Sequence, residues 1–109
     1  TGAKGAVGSS FGFATPLLLK IIAAYEAGKM EEAQGWMAKE ARLVRMLDTE
    51  PGPYNSCVKQ VVWPLLGFET GPCRVPQAIL SEEDVAHARS RLEESGFAQE
   101  IASGEFQLP

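Results

Sequence analysis

Apolar residues recur at helical spacing in four stretches of the chain. Between 16 and 27, Leu18, Ile21, Ile22 and Tyr25 stand at i, i+3, i+4 and i+7 and mark one stripe for burial. Pro16 suits the first helical position, where a missing N–H costs nothing, with Thr15 as its N-cap and Gly28 as the left-handed residue that closes the helix. A second helix is predicted over 30–47, with Ala33, Trp36, Met37, Ala41 and Val44 on one side. Glu31, Glu32, Lys39, Glu40, Arg42 and Arg45 fall elsewhere, at spacings that suit a solvated face, and receive no functional role. Glu50-Pro51-Gly52-Pro53 ends that helix and stiffens the connection. Val58, Val61, Val62, Leu65 and Leu66 then repeat the pattern up to Gly67, while Pro64 within it predicts a kink or a shifted boundary. The prolines of 71–76 forbid regular structure. Ser81, followed by Asp84, predicts a capped helix over 82–95, stapled by Leu80 on Val85, ended by Gly96 and followed by a short turn at 98–102.

The run AKGAVGSSF at 3–11 is different in kind. It is too short for its period to decide, but its glycine and serine density disfavours helix and predicts a buried strand over 5–10. A lone buried strand has no neighbour for its N–H and C=O groups, at about 1–3 kcal/mol for each unpaired one. Residues 5–10 are therefore either not a strand or paired with chain outside this sequence. Strand, loop and amphipathic helix in succession form one βα unit of a parallel sheet or barrel. The start at Thr1 instead of Met adds to the expectation of a longer chain.

Composition narrows the field. The 109 residues hold one domain's worth of chain, 45 % hydrophobic and 22 % charged, which excludes disorder and coiled coil. No apolar stretch approaches the roughly 18 residues of a membrane span, and a soluble, cytoplasmic protein is expected with no membrane partner. The net charge of −4, without a Lys/Arg cluster, argues against nucleic acid. Cys57, Cys73 and His87 are too few for a structural zinc site, and the two cysteines are expected as reduced, partly buried thiols. Gly5, Gly8 and Gly12 fit neither a dinucleotide fingerprint nor a P-loop, so no cofactor is expected. Trp36, Met37 and Trp63 read as core or as helix–barrel interface.

The order of elements carries a resemblance. GAVGSSFGF at 5–13, Pro16 opening a helix, AYEAGKMEEAQ at 24–34, VKQVVWPLLG at 58–67 and GPCRVP at 71–76 resemble, in order and spacing, the C-terminal region of the dihydrodipicolinate synthase / N-acetylneuraminate lyase family. The resemblance implies an α/β fold: residues 1–28 would supply the last strand and helix of a (β/α)8 TIM barrel, and 29–109 a C-terminal helical extension. It implies a lyase or aldolase that acts on a 2-oxo acid such as pyruvate through a lysine Schiff base, which acidifies the carbon next to the imine. That lysine and the family's proton-relaying tyrosine would lie in an N-terminal barrel portion. Lys4, Lys20, Lys29, Lys39 and Lys59 all fall away from the C-terminal end of a barrel strand, so this chain alone is expected to be inert. Its implied partners are the 2-oxo acid substrate, that barrel portion and further copies in a homo-oligomer.

No catalytic residue is assigned within the chain. The substrate-binding candidates that the resemblance implies are Gly8, Ser9, Ser10 and Phe11, where the strand would meet the catalytic face. In sialic-acid lyases the position matching Ser9 offers a hydroxyl to the substrate's polyol tail. Tyr54 and Asn55, in a predicted loop, are further candidates. Gly12 replaces the family's usual asparagine, and Thr15 is an extra residue before Pro16, which leaves substrate identity open. The competing interpretation is a non-catalytic helical module that binds a protein partner, with 5–13 as a Gly-rich arm. The first predicts a chain that, alone, exposes apolar faces of the barrel helix and is soluble only beside the missing portion; the second predicts a chain that is monodisperse and helical by itself.

Overall fold

The computed structural model describes residues 2–49 and 52–108. Six helices follow in order: α1 (Phe11–Glu26), α2 (Met30–Asp48), α3 (Tyr54–Cys57), α4 (Trp63–Leu65), α5 (Glu82–Glu94) and α6 (Phe97–Ser103), with a π-helical turn at Val58–Val62 between α3 and α4. No strand forms among the described residues, so the expected strand over 5–10 is corrected: this segment is an exposed arm, with Val7 wholly in solvent. The described residues offer it no strand to pair with, and its Gly8 and Ser10 carbonyls accept instead from the N–H groups of Phe11, Phe13 and Ala14.

α1 begins earlier than the Thr15–Pro16 start. Ser10 precedes its first turn, and the backbone leaves helical geometry at Ala14 (φ −116°, ψ 17°) before the longer segment that contains Pro16. Proline therefore still marks a break, with one extra turn ahead of it. The buried face also differs. Phe13, Ala14, Leu17 and Ala24 are buried, whereas Ile22 and Tyr25 of the expected stripe are 52 % and 56 % exposed. α1 is apolar on two faces, and the hairpin with α2, turned through Gly28 at φ +73°, covers only one of them.

On α2 the buried positions are Ala33, Trp36, Lys39, Leu43 and Leu47. Met37 and Ala41, predicted for the buried side, are exposed, and Lys39, predicted for the solvated face, is buried. Its ammonium lies 2.7 Å from the Glu100 carboxylate, donates also to the Gln107 carbonyl, and sits over the Phe97 ring. Charge and hydrogen bonds there offset the cost of burial. This pairing ties the C-terminal segment, with its fully buried Phe106, onto α2.

The predicted break over 50–53 falls partly on residues 50 and 51, outside the described ones. Helix resumes at Tyr54, so Tyr54 and Asn55, expected in a loop, form the first turn of α3. Pro64 has its effect upstream: the wide turn Val58–Val62 precedes it, accommodating the carbonyls that a proline ring would otherwise crowd. The extended segment after Gly67 is held by side chains of α3 and the π turn. Gln60 donates to the Leu80 carbonyl (3.1 Å) and accepts from the Leu80 N–H (2.8 Å), Lys59 reaches the Pro72 carbonyl, and Ser56 donates to the Ala78 carbonyl.

α5 opens on the expected capping box, with Ser81 and Asp84 each accepting from the other's backbone N–H. It ends at Gly96, left-handed at φ +82°. The turn expected at 98–102 is helix α6, whose Phe97 and Ile101 enter the core. Cys57 and Cys73 are buried free thiols, and His87 is exposed on α5.

Candidate functional site

The arm meets α1 at a tight corner. The Phe11 N–H donates to the Gly8 carbonyl (3.2 Å), and the N–H groups of Phe13 and Ala14 donate to the Ser10 carbonyl (3.2 and 2.8 Å). Gly8 is required here by close approach, because a Cβ at this position would stand 2.7 Å from the Phe11 ring. The glycine at 12 has a similar cause: a Cβ there would lie 2.8 Å from the Trp63 indole, which packs edge-on against Phe13 and Phe68.

Ser9 is exposed at the tip of this corner, while Ser10 is 5 % exposed and turned inward. The Ser10 hydroxyl donates to Glu40 Oε1 at 2.8 Å, from α1's start to the middle of α2. Tyr54, in the first turn of α3, completes the group. Its hydroxyl is buried without a hydrogen-bond partner among the described residues. Burial pushes the phenol above its ordinary value; the neighbouring Ser9 side chain pulls the other way, and the carboxylates of Glu40 and Asp48 add to the rise. Tyr54 therefore remains a neutral phenol that can donate a hydrogen bond.

Of the six candidates, the structure brings Gly8, Ser9, Ser10 and Tyr54 around one corner. Phe11 folds its ring onto Gly8 and lines a groove of about 300 Å³ with Ala6, Thr15, Leu18, Leu19, Ile21 and Ile22. Asn55 is exposed on α3. Glu40 was missed, although a signal was present. Ala33, Trp36, Glu40, Leu43 and Leu47 follow one another at spacings of three and four, which places Glu40 on the buried stripe of α2 instead of its solvated face. No cluster of His, Cys, Asp and Glu suited to a metal ion occurs among the described residues, and no helix there is long and apolar enough to cross a membrane.

Comparison with curated proteins and with solved structures finds no match. A family model does match: that of the dihydrodipicolinate synthetase family aligns with residues 1–95. This covers the arm, the Gly8–Phe11 corner, α2, the Tyr54 turn and all of α5 in a single span. The chain belongs to the dihydrodipicolinate synthetase family of pyruvate-dependent lyases.

Proposed function

We propose that the chain is the C-terminal part of a lyase that forms or breaks a carbon–carbon bond of a 2-oxo acid through a lysine Schiff base, with the lysine carried by an N-terminal barrel portion. In this reading residues 1–28 close the barrel, 5–10 pair as its last strand, and 29–109 form the extension behind it. The observation that carries the proposal is the uncovered second face of α1. Leu19, Ile22 and Tyr25 are 52–58 % exposed and flank an apolar groove, as a barrel helix does when its sheet is absent. A self-contained helical module would bury this stripe, which disfavours the alternative of a non-catalytic interaction protein.

The lysines support a nucleophile located elsewhere. Lys39 is the buried one, and its ammonium is committed to Glu100 and the Gln107 carbonyl. What the chain contributes is a wall. Ser9 offers an exposed hydroxyl that suits the hydroxyl and carbonyl groups of a polar substrate, and the buried Tyr54 phenol backs it from within the corner. Gly8 and Phe11 shape the corner, and Asn55 is exposed on the helix that carries Tyr54.

Borohydride trapping with pyruvate tests this. The complete enzyme should gain the mass of a reduced pyruvate adduct on a peptide outside residues 1–109. The 109-residue chain alone should gain none. An adduct on any of the five lysines of this chain, or no adduct on the complete enzyme, would overturn the proposal.

A further inference from the structure

We infer that Glu40 is a positioning residue for the substrate wall: its carboxylate holds the Ser10 hydroxyl and so fixes the Gly8–Phe11 corner that presents Ser9. The inference rests on the lyase proposal and adds to it a residue from the helical extension.

Three observations meet at this place. The Ser10 hydroxyl is buried and donates to Glu40 at 2.8 Å across 30 residues of sequence, so it is not available to a substrate as a donor. The same residue's carbonyl accepts from Phe13 and Ala14, and the Phe11 N–H bonds back to Gly8, so Ser10 is the pivot of the turn between arm and helix. The buried Tyr54 phenol feels both the Glu40 carboxylate and the Ser9 side chain, so Glu40 belongs to the same corner as Ser9. A hydrogen bond to a carboxylate is among the stronger single contacts available to a serine, and misplacing a binding group by an ångström is costly. Glu40 acts through Ser10 and does not touch the substrate.

The test uses the complete enzyme, with pyruvate and borohydride as one probe and, as the other, condensation of pyruvate with a panel of aldehydes running from glyceraldehyde to N-acetylmannosamine. Glu40→Ala should raise KM for the preferred aldehyde about tenfold and leave the rate of pyruvate trapping unchanged. Glu40→Gln, which keeps an oxygen acceptor for Ser10, should recover most of that loss. Ser10→Ala should reproduce the defect, and Glu40→Ala should add nothing in the Ser10→Ala background. Additive effects, an unchanged KM, or equal loss in trapping and condensation would overturn the inference, as would a wild type that traps pyruvate but condenses with no aldehyde. If Glu40→Ala does not fold, the remaining pair decides: a Ser10→Ala enzyme with wild-type KM overturns it. Failure of the wild type to trap pyruvate sinks the lyase proposal itself and this inference with it, a result distinct from all the others.

Discussion

Tyr54 buries a polar atom at a cost to the fold. Its hydroxyl is buried with no hydrogen bond of good geometry among the described residues, only the nearby Ser9 side chain, a state that costs about 1–3 kcal/mol for a polar group. Tyr54→Phe should therefore leave stability at neutral pH unchanged or raise it by about 1 kcal/mol, while weakening substrate binding. The pH dependence has a definite sign. Because the folded phenol titrates above 10.0, its ordinary value, the unfolded chain ionises first. The stability tied to the neutral ring is then complete below that value and falls as pH rises through the folded one, and the phenylalanine variant should lack this loss. Urea unfolding at neutral and alkaline pH checks both statements; a neutral-pH loss above about 1 kcal/mol would show that the hydroxyl has a partner. Cys57 has the same sign, since burial also pushes its thiol up. Lys39 and Glu40 were the residues least legible in sequence. Lys39 looks like solvated face, and only the placement of Glu100, 61 residues away, offsets its burial, whereas the spacing of Glu40 with Trp36 and Leu43 hints at its half-buried place but not at its partner Ser10.

Among the elements, local signals were reliable where the interaction that decides them is local. The Ser81–Asp84 box is settled within four residues and forms as predicted, so Ser81→Ala should lower stability by about 1 kcal/mol, measurable by thermal or urea unfolding. A loss well under about 0.5 kcal/mol would mean that tertiary packing, not the cap, holds the start of α5. The left-handed glycines at 28, 67 and 96 were legible for the same reason, since only glycine adopts positive φ cheaply. Face and register were less legible. α1 carries apolar residues on two sides, and periodicity identifies a stripe without saying which of two neighbours covers it; α2 takes Leu17 and Ala24, leaving the predicted Ile22 and Tyr25 outside. The π turn ahead of Pro64 could be foreseen as a disturbance but not as a widened turn. Its form depends on Gln60 and Ser56 bonding the distant 78–80 backbone.

For the molecule as a whole, the described fold is more drawn out than its length requires. Its radius of gyration is 14.7 Å, against about 13 Å expected for a compact domain of this size. An exposed arm and a half-covered first helix stand at one end, and a well-packed helical body tied down by Lys39, Glu100 and Phe106 at the other. That asymmetry is what the proposed barrel-closing segment joined to a self-packed extension would produce, and the family match reaches from the first part into the second as far as residue 95. The strand expectation for 5–10 depends wholly on this larger context, because a strand is a property of a pair and no partner lies within the chain. Amide hydrogen exchange at Gly5–Ser10 tests the claim most directly, compared between the 109-residue chain and the complete enzyme. The account predicts fast exchange in the chain alone and strong protection in the complete enzyme, where the backbone joins a sheet. Equally fast exchange in both would contradict it.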